Sequence, residues 1–169
     1  IKEKGILELI NACDELWSND YKFTLNIAGE IDRQNRSYLK KNYFESIKNN
    51  PNIKFLGKCQ NMREIYKLMD IVVLPSWREG LSMSLLEASA MECTIITTNV
   101  PGCNDIVEHG KSGLLVPLNS PISIRLAILF LINNPDISQK FGKNARLSTI
   151  KKFNSEIVLS QTISLYEKL

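Results

Sequence analysis

The chain has 169 residues, of which 44% are hydrophobic and 23% charged, with a formal net charge of +3. That length supports one well-buried core and not two full domains. The mild charge is spread along the chain without the clustered basic footprint of a nucleic-acid binder, and no apolar run approaches the roughly 18 residues of a membrane span.

Cys13, Cys59, Cys93 and Cys103 are too irregularly spaced for a zinc site, and His109 is the only histidine. They read as reduced structural thiols, which suits a cytoplasmic location. The chain starts at Ile1 without an initiator Met and enters a helix almost at once, so it reads as a piece of a longer protein; a signal peptide or a span ahead of it stays open.

Ile6, Leu9, Ile10, Cys13, Leu16 and Trp17 recur at helical spacing, predicting an amphipathic first helix that turns at Ser18-Asn19-Asp20. Phe23, Leu25 and Ile27 alternate as a strand ended by Ala28-Gly29. A polar helix over about Arg33 to Lys48 follows, then the short strand Ile53 to Leu56 closed by Gly57.

A helix over Met62, Ile65, Tyr66 and Met69 leads into the strand Ile71 to Leu74, a helix from Leu81 to Met91 and the strand Thr94 to Thr97. Pro101-Gly102 reads as a turn, Asn104 to His109 as a short helical piece, and Leu114 to Val116 as a last strand. Helices are expected over Ile122 to Ile132, Ser138 to Lys151 and Ser155 to Leu169. Apolar strands separated by helices argue for an α/β fold: a doubly wound, Rossmann-like parallel sheet covered by helices on both faces. Five strands are visible, and a sixth is expected ahead of residue 1. No repeat or low-complexity segment interrupts them.

The usual cofactor signatures are missing. There is no Gly-x-Gly-x-x-Gly for a dinucleotide, no Asp-x-Asp to hold a cation against a diphosphate, and no Gly-x-Ser-x-Gly nucleophile elbow. Gly110-Lys111-Ser112 mimics the end of a phosphate-binding loop, but its first glycine would fall at Asp105 and a strand follows where a helix should. The expected chemistry is therefore metal-free and non-nucleophilic, without a cofactor.

Positive evidence lies in Arg78-Glu79-Gly80-Leu81-Ser82-Met83-Ser84-Leu85-Leu86-Glu87-Ala88. Gly80 sits where a loop is expected to become a helix, and a helix amino terminus offers free N–H groups and a favourable dipole to an anion. Glu79 lies just before this point and Glu87 two turns on, about 11 Å along the axis. That span suits a ligand with hydroxyls on both sides of a diphosphate. Glu87 is the only charged residue between Leu81 and Met91, and a partly buried carboxylate there would need donors such as ribose hydroxyls. Spacing alone leaves another reading open: Glu87 facing solvent, and Glu79 a loop charge paired to Arg78.

Leu74-Pro75-Ser76, Arg78-Glu79-Gly80, Leu86-Glu87-Ala88, Thr97-Thr98, Val100-Pro101-Gly102-Cys103, Asp105-Ile106-Val107 and the run Gly110 to Pro117 occur in that order. Together they resemble the donor-binding, C-terminal half of retaining glycosyltransferases of the GT-B fold, within the "group 1" family. The motifs cover about Phe55 to Pro117, and the element order matches over nearly the whole chain.

The resemblance implies that residues 1–169 form one nucleotide-sugar-binding domain. It also implies that Glu79 contacts the donor-sugar hydroxyls, that Glu87 holds the ribose, and that the backbone near Gly80, Leu81 and Ser82 holds sugar and diphosphate. Lys4, in Glu3-Lys4-Gly5, matches the family lysine that neutralises the diphosphate; without that context it would be an exposed lysine at a helix start. Gly57 and the Lys58-Cys59 backbone match the nucleobase cradle. A partner arginine of the family would fall before Ile1.

Several positions depart from the family pattern. Ser82 and Ser84 replace the usual Gly or Pro and an apolar residue, which bears on sugar selectivity, and Glu92-Cys93-Thr94 stands where Gly-x-Pro is usual. Pro101-Gly102-Cys103 is similar to members acting on undecaprenyl-linked sugars.

The activity implied is transfer of a hexosyl group, with retention, from a nucleoside diphosphate sugar, UDP being the expected nucleotide, to a glycan or lipid-linked acceptor. A lipid-linked acceptor would bring the intact protein to the inner face of the membrane as a peripheral partner. The rival readings are an epimerase or phosphorylase of the same architecture and a non-catalytic α/β interaction module. The last helix, with Ile157, Val158, Gln161, Leu165 and Lys168 near one stripe, is expected to pack partly on the other half of such an enzyme, and the 169-residue piece alone to bind nucleotide but turn over poorly.

Overall fold

A computed structural model describes residues 2–30, 45 and 47–167. A single 3₁₀ turn over Lys2–Lys4 leads into α1 (Ile6–Ser18), β1 (Leu25–Ala28) and β2 (Ile53–Gly57). There follow α2 (Met62–Tyr66), β3 (Ile71–Leu74), α3 (Met83–Ala90), β4 (Thr94–Thr98) and β5 (Leu114–Val116). The chain closes with three helices, α4 (Pro121–Asn133), α5 (Pro135–Phe153) and α6 (Ser155–Tyr166). The expected helix over Arg33 to Lys48 lies outside the described residues except at its end, where Ile47 is buried against Ile10 and Ile53.

The strands pair in parallel throughout, as their apolar composition requires. Leu25 stands opposite Ile53 in one ladder, while Ile71 opposite Thr94 and Ile96 opposite Leu114 set the register of the other. The orders are β1-β2 and β3-β4-β5. From β1 the chain winds outward to β2 and then returns to β3, and a cavity of about 380 Å³ opens between β1 and β3. Such a reversal is where doubly wound sheets leave a crevice. Asn26 Nδ2 donates to Met69 Sδ across it at 3.8 Å.

Both faces are covered, and adjacent residues of β4 show how. Ile96 enters a core with Leu9 and Leu16 of α1, Ile124, Ile128 and Leu131 of α4, and Phe141 of α5. Ile95 points the other way, against Leu85 and Leu86 of α3, Tyr66 and Val107. Alternation across the strand thus feeds two layers of helices, and all five residues of β4 are buried. Each fully buried Ile or Leu contributes roughly 1.5–3 kcal/mol. Thr94 and Thr97 tolerate this because their hydroxyls donate to the carbonyls of Ser138 (2.6 Å) and Leu74 (2.7 Å).

The tertiary structure corrects two expectations and decides a third point. Residues 101–106 form consecutive turns, not a helix: Gly102 adopts φ +80°, and three-residue bonds such as Ile106 N–H to Cys103 O are mixed with isolated four-residue ones such as Val107 N–H to Cys103 O. The helix expected from Leu81 to Met91 is shorter, since Ser82 keeps extended geometry at its N-cap and Met91 closes it. Of the two placements left open for Glu87, partly buried or facing solvent, the structure has the exposed one, because the buried stripe of α3 runs through Leu85, Leu86, Ala88 and Ser89. The Gly110-Lys111-Ser112 turn leads into β5, with Ser112 Oγ accepting from Glu108 N–H, as its reading as a phosphate-loop mimic requires.

Candidate functional site

Gly5 brings the amino-terminal turn to the end of β3. It caps α1 with φ +69°, and a Cβ built there would lie 2.1 Å from the Pro75 carbonyl oxygen. Only glycine suits both the left-handed backbone and the approach. Trp77 N–H then donates to Glu3 O at 2.8 Å, tying the Lys2–Lys4 turn to the loop after β3.

This clasp places Lys4 beside Glu79, 75 positions away in sequence. The Lys4 ammonium donates to Glu79 Oε1 at 2.7 Å, with 12% of the glutamate side chain exposed and 48% of the lysine. Glu79 therefore pairs with Lys4 and not with its neighbour Arg78, which is exposed.

The loop carrying Glu79 is held from below. Gly102 passes so close that an added Cβ would sit 2.8 Å from the Glu79 carbonyl oxygen and nearer still to that of Gly80. Asp105 fixes the Gly102 turn by accepting its N–H at 2.9 Å. Beneath the same loop, Thr98 Oγ1 donates to the Ser76 carbonyl, while the fully buried Ser76 hydroxyl has no hydrogen-bond partner among the described residues. Gly80 and Leu81 are exposed and precede α3, whose first turn no side chain caps. Ser82 is buried and its Oγ lies 3.1 Å from Ser84 Oγ. An exposed strand-to-helix loop, free first-turn amides and an ammonium beside them form a site suited to an anion.

Glu87 is separate from the Lys4–Glu79 pair. Among the described residues no hydrogen bond or ion pair joins it to either; its Oε2 lies 3.5 Å from the Tyr66 hydroxyl, which donates to Ser84 O at 3.1 Å. Burial, and then the Glu87 charge, push the Tyr66 hydroxyl up to about 12. Tyr66 therefore stays a donor at neutral pH. The sequence shows Tyr66 as one apolar member of a Met and Ile stripe, so its polar role is a contribution of the fold.

Gly57 closes β2 with φ +64°, and its carbonyl accepts from Gly29 N–H at 2.8 Å. Lys58, next in the chain, is exposed. The strand ends converge: Ala28, Leu56, Pro75, Ser84, Tyr66 and Lys4 all line the cavity between β1 and β3. Among the described residues no group of three or more His, Cys, Asp or Glu side chains is arranged to hold a metal ion.

A family model for glycosyl transferases group 1 matches residues 1–148. The chain belongs to that family. The capsular polysaccharide biosynthesis glycosyltransferase CapM of Staphylococcus aureus is 31% identical over 166 residues, covering 98% of this glycosyltransferase chain and 43% of CapM. The chain spans less than half the length of that relative. HepE of Anabaena, solved in complex with UDP, superposes with a TM-score of 0.89 at 19% identity, covering all of this chain and 46% of HepE. The C-terminal domain of the group 1 protein LpcC of Francisella tularensis matches with a TM-score of 0.79 at 27% identity, covering 92% of this chain and 82% of that one. The domain is thus one half of a GT-B architecture. Family membership favours the glycosyltransferase reading over an epimerase, a phosphorylase or an interaction module. No helix among the described residues is long and apolar enough to cross a membrane.

Proposed function

We propose that this domain binds the donor of a retaining hexosyltransferase that moves a sugar from a nucleoside diphosphate, UDP foremost, to a glycan or lipid-linked acceptor. The observation that carries this reading is the Lys4–Glu79 pair at the exit of β3, beside the uncapped start of α3. It joins a mobile positive point charge, a carboxylate and free backbone amides, which are the groups a diphosphate flanked by sugar hydroxyls needs.

In this reading Lys4 and the amides of Gly80 and Leu81 take the diphosphate, joined by the Ser82 N–H once it leaves the Gly102 carbonyl to which it donates at 3.5 Å, and Glu79 accepts from the sugar hydroxyls. Glu87 holds the ribose while Gly57 and Lys58 border the base. The domain's share of catalysis is electrostatic: it orients the donor and stabilises charge growing on the leaving diphosphate. The departing diphosphate then helps deprotonate the acceptor on the face it leaves, which yields retention. Lys4 and the helix terminus supply the positive charge without a metal.

The acceptor groove belongs to the other half of the architecture. Helix α6 has no buried residue, and Leu159, Ile163 and Leu165 on it are exposed, which supports packing of this helix against that half. A cytoplasmic enzyme, peripheral at the inner face of a membrane when its acceptor is lipid-linked, fits the reduced cysteines.

The test is calorimetric titration of the intact protein with UDP, GDP and ADP, with and without EDTA. UDP binding that EDTA leaves unchanged and Lys4→Met weakens is expected; binding of none of the three would overturn the reading. NMR of the anomeric proton of the product decides retention.

A further inference from the structure

We propose that Lys4 and Glu79 act as an exchange pair that makes the site favour an intact nucleoside diphosphate sugar over the bare nucleoside diphosphate left after transfer. The inference rests on the donor-site reading above and concerns how that site discriminates its two nucleotide ligands.

Without ligand the two side chains satisfy each other at 2.7 Å. They are not equally free to move. Lys4 is half exposed on a flexible stem, whereas Glu79 is 12% exposed and belongs to a loop pinned by Gly102, which leaves no room for the Glu79–Gly80 backbone to retreat. Lys4 is therefore the partner that leaves.

A diphosphate at the start of α3 attracts Lys4 with more than one negative charge, against one on Glu79. Once Lys4 turns to it, the Glu79 carboxylate remains in a poorly hydrated position without its cation. An ionised group stripped of its partner in such a position is unfavourable. A sugar attached to the diphosphate carries hydroxyl donors that restore hydrogen bonds to Glu79. A bare nucleoside diphosphate has no donor at that end. The intact donor thus gains Lys4 and satisfies Glu79, while the product gains Lys4 and strands Glu79.

Glu79 on this account has two opposite effects, strengthening the binding of the sugar nucleotide and weakening that of the nucleotide alone. A residue that only touched sugar would leave UDP affinity unchanged, and one that only supported the loop would move both ligands the same way.

The experiment is calorimetry on the intact protein and its Glu79→Gln, Glu79→Ala and Lys4→Met variants, with UDP and with the UDP-hexose that the unmodified protein binds most tightly. The unmodified protein should prefer the UDP-hexose. Glu79→Gln should bind UDP more tightly, by up to about fivefold, the upper range expected from releasing a partly exposed ion pair, while losing affinity for the UDP-hexose. Lys4→Met should weaken both.

Unchanged or weaker UDP binding by both Glu79 variants, with unmodified UDP binding intact, overturns the exchange and leaves the donor site standing. Failure of the unmodified protein to bind either nucleotide overturns the donor-site reading, and the exchange with it. Glu79→Ala serves should Glu79→Gln fail to fold.

Discussion

Gly102 lies directly beneath Gly80: a Cβ built on Gly102 would stand 1.7 Å from the Gly80 carbonyl oxygen. The two glycines belong to the loops after β4 and β3, so their contact couples the Pro101-Gly102-Cys103 turn to the candidate donor loop. The φ of +80° at Gly102 adds a second constraint, since a side chain there is strained whatever the space around it.

Gly102→Ala should therefore destabilise the fold by about 2 kcal/mol or more, combining left-handed strain with the displaced loop. It should also weaken UDP binding, because Glu79 and Gly80 move. Gly110→Ala shares the positive φ but has no atom within 4 Å of its added Cβ. Urea denaturation and calorimetry on both variants separate backbone strain from loop displacement; equal UDP affinities would show that the contact does not position the loop.

Glu87→Gln should reduce UDP affinity more than Glu64→Gln, which removes an exposed carboxylate paired with Lys67 beside α2. A carboxylate that accepts from ribose hydroxyls loses a charge-assisted bond worth about 1.5–3 kcal/mol, roughly tenfold or more in Kd. Indistinguishable Kd values for the two variants would remove Glu87 from the ribose role.

The Tyr66 hydroxyl links α2 to α3 through Ser84 and Glu87. Its folded pKa of about 12 lies above the ordinary 10.0, so the neutral form is favoured by folding. Its stabilisation is complete below pH 10 and is lost as pH rises from there through 12. Cys13 and Cys93, pushed up by burial to about 12 and about 11 from 9.0, extend the same loss downward to pH 9. Denaturation midpoints should be insensitive to these groups below pH 9 and fall above it. Tyr66→Phe should cost about 1 kcal/mol at neutral pH and fall less steeply between pH 10 and 11; an identical slope would count against the burial argument.

Cys13, Cys93 and Cys103 are buried, and burial raises all three thiols above their ordinary value. The thiolate is the reactive form. In the folded protein at pH 8, a maleimide reagent should label Cys59 first, identified by peptide mass, with the other three reacting only on unfolding. Early modification of Cys103 would mean that the Gly102 turn opens readily.

The strands were legible in the sequence, because β-branched runs such as Ile71 to Leu74 and Thr94 to Thr97 are short enough to be strands and lack the polar alternation of an exposed sheet. Its ordered motifs also singled out Lys4, Glu79, Gly80 and Glu87 as the candidate donor-site residues. Tertiary structure alone decided how they meet. Lys4 finds Glu79 because Gly5 packs on Pro75, a relation between residues 70 positions apart with no periodic trace in the chain. Residues 104–109 likewise read as a short helical piece, whereas residues 101–106 form turns around Gly102, which packs against Gly80 far away in sequence. The exposure of Glu87 was decided by which stripe of α3 met β3 and β4, and Tyr66 became polar machinery only when α2 was laid against that helix. Local pattern reports what each segment buries, whereas the pairing of charges depends on which segments the packed core brings together.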